Sequence, residues 1–131
     1  MWKRIAVAGT AVAMVAGAGL AVAAPASAGT STRIWIDNPK GQQDVAYGQF
    51  NDYGEHFYAC DVVKDGYGVQ VDWYVVSDPG HHGSLRDVNG ANGDCATQDA
   101  SINEGLAVNW RICNTDAGAE VWCTPYLRDY A

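Results

Sequence analysis

Three histidines, a scatter of hydroxyls and fifteen carboxylates are the groups in this chain that could carry acid–base or nucleophilic chemistry. The densest cluster is Ser77-Asp78-Pro79-Gly80-His81-His82-Gly83-Ser84, with Asp87 just beyond it; His56 stands apart, after Glu55. A histidine beside Ser84 and either Asp78 or Asp87 would be the material of a hydrolytic triad, in which the imidazole takes the serine proton and a carboxylate orients the imidazole. That chemistry needs the nucleophile aimed from a sharp strand-end turn. The chain has no G-x-S-x-G elbow and no α/β pattern to hold one. In their Pro-Gly context His81 and His82 read as solvated loop residues. Metal capture by His81, His82 and Asp78 would require neighbouring side chains to converge on one ion without a rigid framework.

The run Asp87-Val88-Asn89-Gly90-Ala91-Asn92-Gly93-Asp94 resembles a calcium loop, but the EF-hand register fails. It needs an oxygen ligand at the fifth position and glycine at the sixth, where this chain has Ala91 and Asn92. Paired carboxylates for glycoside hydrolysis must sit on opposite sides of a cleft, and among so many acids some pair is inevitable. We therefore assign no catalytic residue, no metal ligand and no cofactor, and expect a protein that is not an enzyme. A small extracellular hydrolase using His56 or the His81-His82 segment is the alternative.

The aromatics are the other chemically loaded set. Past residue 28 the chain carries four Trp, seven Tyr and two Phe. Trp73 and Trp110 fall on strongly apolar alternating faces and belong to a core. Trp35, Tyr53, Tyr67, Trp122, Tyr126 and Tyr130 fall in turns, edges and terminal segments, where some must meet solvent. Exposed Tyr and Trp anchor protein interfaces and stack against sugars. The competing explanation is that small β domains fill their edges with aromatics in any case. Trp35, Trp122 and Tyr126 are the residues we assign to a binding surface. The expected partner is an extracellular protein, including a hydrolase it would inhibit, ahead of a glycan; a surface-coat role is the third reading.

What positions these groups begins after residue 28. Met1-Trp2-Lys3-Arg4 is a positive start, Ile5 to Ala24 is an uncharged run of small and apolar residues, and Ala26-Ser27-Ala28 is an A-x-A cleavage site, so residues 1–28 read as a cleavable secretory signal. A retained membrane anchor fits less well: the run is mostly Ala and Gly, and no basic stop-transfer cluster follows it. The protein is expected to be secreted and free of the membrane after cleavage. Losing Lys3 and Arg4 with the signal leaves six basic residues against fifteen acidic ones, a formal charge of −9. A surface this acidic, with its basic residues scattered singly, repels phosphate backbones and argues against nucleic-acid binding.

The 103 residues that remain make one domain, near the small end of what a single core can support. Four cysteines in an exported chain of this size imply two disulfides. Metal ligation is the rival, but Cys60, Cys95, Cys113 and Cys123 include no C-x-x-C pair and no histidine at zinc-ligand spacing. Cys113 ends one strand and Cys123 lies in the next, which pairs them across a hairpin and leaves Cys60 with Cys95.

Period-2 alternation dominates the elements. Val69, Val71, Trp73 and Val75 share one face, as do Leu106, Val108, Trp110 and Ile112. Val45 to Phe50, His56 to Asp61 and Val121 to Leu127 are shorter candidates. Residues 29–43 read as an N-terminal arm or first strand around Ile34-Trp35-Ile36, and 44–131 as a single β domain. Asn51 to Gly54 and Lys64-Asp65-Gly66 fit hairpin turns; Asp78-Pro79-Gly80 and Asn89 to Asp94 mark longer connections. Ser101 to Gly105 could form one helical turn. About seven strands at this spacing predict a small disulfide-stapled antiparallel β-sandwich, with a small β-barrel as alternative.

Tyr58-Ala59-Cys60-Asp61, followed by Lys64-Asp65-Gly66-Tyr67-Gly68-Val69, then Asn89-Gly90 and Val108-Asn109-Trp110-Arg111-Ile112-Cys113, resembles a group of small exported actinobacterial proteins. That group shows a C-D-x-x-x-D-G-x-x-V run, a later Cys and an R-x-C segment. The resemblance spans Val45 to Cys123, implies the β fold and implies no activity. The small actinobacterial α-amylase inhibitors are also exported acidic β-sandwiches with two disulfides, and they present Trp-Arg-Tyr on a turn. Here Trp110-Arg111 is followed by Ile112 inside an alternating strand, which leaves enzyme inhibition without a motif.

Overall fold

The computed structural model describes residues 29–88 and 90–131; the expected signal, residues 1–28, and Asn89 lie outside the described residues. The described chain forms nine strands: β1 (Thr32–Ile36), β2 (Ala46–Asn51), β3 (His56–Asp61), β4 (Gly68–Val75), β5 (Asp78–Asp87), β6 (Ala96–Asp99), β7 (Ala107–Asp116), β8 (Ala119–Cys123) and β9 (Leu127–Tyr130). The antiparallel sheet β1-β2-β3-β6 packs on a second antiparallel sheet, β5-β4-β7-β8. β9 joins the second sheet along the first half of β7, with Ala107 to Trp110, while β8 takes the second half from Cys113. The sheets do not close into a barrel, so the architecture is a disulfide-stapled β-sandwich.

The two strongest alternating segments meet as central partners. β4 and β7 pair along their length, with Trp73 opposite Trp110 and Val71 opposite Ile112. Val69, Val71, Trp73, Val75, Val108, Trp110 and Ile112 are all buried and face Phe50, Phe57 and Ala59 of the first sheet. Phe57 stacks on Trp73 with centroids 5.3 Å apart and meets the edge of Trp110. Burying Trp110 leaves an indole N–H to satisfy, and Asp129 accepts it at 2.8 Å. The other oxygen of Asp129 takes the hydroxyls of Thr30 and Thr32 at 2.6 and 2.9 Å. One buried carboxylate thus ties β9, β1 and the core tryptophan together.

Both disulfides have the expected pairing, Cys60–Cys95 and Cys113–Cys123. Each staples neighbours within one sheet. Cys113 and Cys123 are directly opposed on β7 and β8, whereas Cys60 on β3 meets the chain as it enters β6. Between those last two cysteines the chain has crossed to the second sheet and come back.

Several expected connections come out differently. Lys64-Asp65-Gly66 is not a hairpin turn; it carries the chain from β3 in one sheet to β4 in the other. The turn chemistry is nonetheless the expected kind: Asp65 accepts the Tyr67 N–H at 2.9 Å and Gly66 takes a φ of 86°. Asp78-Pro79-Gly80 is not a connection but the start of β5, and the turn contracts to Val76-Ser77. Pro79 is tolerated there because β5 is an edge strand and one of its sides needs no N–H. Val121 to Leu127 is not one strand either. Thr124 bridges to β7 through Ile112, its N–H to the Ile112 carbonyl at 2.8 Å and its hydroxyl accepting the Ile112 N–H at 3.1 Å, and Pro125 ends the pairing. Ser101 to Gly105 holds a turn at Glu104-Gly105, with the Leu106 N–H 3.3 Å from the Asn103 carbonyl, and no helix.

Candidate binding cleft

Trp35 and Trp122 are far apart in sequence and on different sheets, yet both line one cleft of about 360 Å³. β1 is the edge of the first sheet and β8 lies at the edge of the second, so the cleft opens where the two sheets part. On β1, Ile34 and Ile36 pack on the core, so alternation turns Arg33 and Trp35 outward. Trp35 leans on Tyr47 of β2, its register partner, with ring centroids 4.7 Å apart. Trp122 lies opposite Asn114 of β7. It stays half exposed because no strand of the first sheet covers β8. The two indoles are 43% and 51% exposed, against 4% and 0% for Trp73 and Trp110.

The remaining walls are held firmly. After β1 the chain turns around Asn38, which is buried and accepts the N–H groups of Lys40 and Gln42 at 3.0 and 2.9 Å. Its amide donates to Asp65 at 3.0 Å, tying this loop to the sheet crossover. Asp37, an exposed residue, accepts the Asp44 N–H at 3.0 Å and lines the cleft with Trp35. Asn114, only 1% exposed, donates its amide to the Asp37 carbonyl at 2.7 Å, a bond between the sheets. Its Oδ1 is buried and has no hydrogen-bond partner among the described residues. Among the described residues, no Lys, Arg or His lines the cleft. It sets Asp37 and the acceptor oxygen of Asn114 beside two half-exposed indoles and carries no cation of its own.

Tyr126 does not join the two tryptophans. It lies in a different cleft, of about 390 Å³, with Asp72, Tyr74, His82 and Ser84. Its ring meets Tyr74 edge-on at 5.4 Å and lies under the Arg111 guanidinium at 4.9 Å. This outer face of the second sheet is a closed polar network. Asp72 accepts Ser84 Oγ at 2.7 Å, Gln70 Nε2 at 2.8 Å and Arg111 at 3.2 Å. Burial would raise the Asp72 carboxyl, but those hydrogen bonds, led by Ser84 and Gln70, hold it below the usual range.

The groups that suggested hydrolysis are only partly gathered: Ser84 and His82 line this same outer cleft, whereas His81 and His56 lie elsewhere. The Ser84 hydroxyl proton goes to Asp72. His81 and His82 are consecutive residues of a strand and point to opposite faces: His82 lines the outer cleft, whereas His81 turns inward, its Nε2 2.8 Å from the Ala100 carbonyl and its ring edge-on to Trp73 at 5.4 Å. His81 is thus a packed strand residue rather than a solvated loop histidine, because the segment expected to be a loop is β5. His56 stands in the other sheet at the start of β3, opposite Asp99. Among the described residues, the one grouping of three ligand-type side chains is Cys113, Glu120 and Cys123, whose two sulfurs are bonded to each other.

A third cleft, of about 420 Å³, lies at the sheet crossover and contains Asp61, Asp65, Asp87, Lys64 and Arg86. Burial pushes the Asp61 carboxyl up to about 6, opposed by a hydrogen bond from the Val63 backbone and reinforced by Asp65 and Asp87. The acids here have structural work: Asp87 accepts the Asp61 N–H at 2.9 Å, and Asp65 shapes the turn and binds Asn38. The C-D-x-x-x-D-G-x-x-V run thereby finds its physical explanation in building the crossover.

Asn114 and Asp37 escaped the sequence reading. A signal for Asn114 was available: continuing the inward positions Val108, Trp110 and Ile112 by two residues lands on it, a polar side chain on a buried face. Asp37 opens the run Asp37-Asn38-Pro39-Lys40-Gly41, which signals a turn and no site. Trp110, in the Trp-Arg pair compared above with an inhibitor triplet, is fully buried and cannot be presented to a partner. No family model, no curated protein and no solved structure matches the chain.

Proposed function

We propose that this protein works outside the cell by binding, not by catalysis, and that the Trp35–Trp122 cleft is its contact with a partner protein. The observation that carries the reading is the convergence of two half-exposed indoles from opposite sheets on a cleft holding a buried, unpaired carboxamide oxygen. Exposed Trp is costly to leave in water and is the residue most enriched at binding hot spots. A buried acceptor without a partner costs free energy that a donor brought by a ligand would recover. Two disulfides in so small a domain are compatible with an extracellular setting.

The test is capture from native culture supernatant on immobilised, oxidised residues 29–131, with bound proteins identified by mass spectrometry. A protein retained in stoichiometric amount by the wild type should be lost on Trp35→Ala/Trp122→Ala and kept on Tyr126→Ala. Equal retention by the double variant would place the contact elsewhere. Release by sugar washes alone would assign the cleft to a glycan.

A further inference from the structure

We propose that the cleft receives an arginine side chain of the partner protein, stacked on Trp35 and Trp122 with its guanidinium directed to Asn114 and Asp37. The inference rests on the binding reading above and specifies its chemistry.

Three observations select a cation that is also a hydrogen-bond donor. First, beside its two indole N–H groups the cleft offers acceptors and no cation. Among the described residues, Asn114 Oδ1 has no partner, and Asp37 is the one lining residue with a side chain that carries charge. Second, the two indoles lack cations while lesser rings have them. Arg33 lies over Tyr47 at 4.3 Å, Lys40 near Tyr67 at 5.9 Å and Arg111 over Tyr126 at 4.9 Å. Among the described residues no Lys or Arg is seated on Trp35 or Trp122, although indole is the strongest cation–π acceptor. Third, the domain's formal charge of −9 raises the local concentration of cationic partners and speeds their encounter.

Arginine fits better than lysine. A planar guanidinium can lie flat on an indole while its N–H groups, directed in its own plane, reach two acceptors at once; an ammonium offers a compact, strongly hydrated charge. The guanidinium is also less costly to desolvate against two aromatic walls. Asn114 is held by its bond to the Asp37 carbonyl, so the acceptor is oriented before the partner arrives.

The experiment titrates oxidised, isotope-labelled residues 29–131 with acetyl-arginine-amide and, in parallel, with acetyl-citrulline-amide, its neutral isostere. Indole N–H and side-chain amide signals are followed by NMR. The arginine analogue should bind with a Kd on the order of 1 mM, typical of a fragment of that size. It should shift the indoles of Trp35 and Trp122 and the Asn114 amide, and leave Trp73 and Trp110 in place. Citrulline should bind at least about 10-fold more weakly, as expected where a desolvated cation is recognised. Asp37→Asn, which keeps an acceptor for the Asp44 N–H, should weaken arginine severalfold, and added salt should do the same. Equal shifts from the two analogues, no response at Trp35 and Trp122, or saturation of those indoles by methyl glucoside instead would overturn the proposal. If arginine is inert while Trp35→Ala/Trp122→Ala still abolishes partner capture, the cation is wrong and the binding surface stands. If capture survives the double substitution, the binding reading itself fails.

Discussion

Replacing Gly48 by alanine tests whether the sandwich is closed as tightly as its geometry implies. Gly48 lies on β2 with its absent side chain pointing at the second sheet. A Cβ there would overlap Ile112 Cγ2 and come within 3.0 Å of Val71 Cγ2 and 3.1 Å of Trp110 Cζ3. Two effects favour the substitution: alanine loses less backbone freedom on folding, about 0.4–1 kcal/mol, and buries one methyl, about 0.8 kcal/mol. One opposes it, because ordinary carbon contacts lie at about 3.5–4.0 Å and forcing a methyl into a full core costs about 1–3 kcal/mol or more. Here the neighbours have little room to yield. Ile112 and Val71 are β-branched and stiff at χ1, and they and Trp110 are fully buried. The clash, at the upper end of that range, therefore wins, and Gly48→Ala should destabilise by about 1 kcal/mol, lowering the melting temperature by about 4–8 °C for a domain of this size. The assay is urea unfolding of oxidised residues 29–131 followed by the fluorescence of Trp73 and Trp110. Ile112→Ala removes the overlapping methyl and should cost about 2–5 kcal/mol alone, but clearly less in the Gly48→Ala background, because the new methyl fills part of the cavity. A neutral or stabilising Gly48→Ala, or strictly additive single substitutions, would refute the reasoning.

Asp61 supplies a pH signature. Its folded-state value of about 6 lies above the ordinary 3.8, so the stability it contributes is fully present below about pH 4 and is lost as pH rises through 6. Asp72 has the opposite sign: its carboxyl is held low, and its contribution fades as pH falls through its folded value. Thermal unfolding should therefore show greater stability at pH 5 than at pH 7. Asp61→Asn should flatten that slope and gain about 1 kcal/mol at pH 7 after allowance for solvent screening; an unchanged slope would mean Asp61 is not the titrating group. Asp129→Ala should cost about 2–4 kcal/mol, measured by urea titration, because it strips the buried Trp110 N–H and two threonine hydroxyls of their acceptor. Removing Cys60–Cys95 or Cys113–Cys123 by paired alanine substitution should cost about 4 and about 3 kcal/mol respectively, in the order of the loops they close; the reverse order would point to residual structure in the unfolded chain.

Much of the framework was legible in the sequence because it depends on near neighbours. Alternation along Val69 to Val75 and Val108 to Ile112 assigns strand and buried face together, since a strand turns each side chain opposite to the last. Strand adjacency pairs Cys113 with Cys123, and elimination pairs the other two cysteines. Turn chemistry was read correctly at Asp65-Gly66 and still misled about destination. The same local geometry serves a hairpin or a crossover, and the difference lies in which sheet receives Gly68. The His81-His82 segment failed for a related reason: Asp-Pro-Gly usually interrupts a strand, but at a sheet edge the missing N–H faces no partner, and β5 begins there.

The tertiary structure alone decided the cleft. Trp35 and Trp122 were both marked as exposed aromatics, but their meeting, and the separation of Tyr126 from them, follow from where β1 ends one sheet and β8 the other. The Asn114–Asp37 bond joins residues 77 apart, and the unpaired Oδ1 exists only because two sheets close over it. Gly48 is equally invisible locally, as one more small residue in a strand until Ile112 is placed across from it. Periodicity and turn propensity are written along the chain over a few residues. Sheet edges, close approaches between sheets and unsatisfied buried atoms arise where distant segments meet, and only packing determines which ones do.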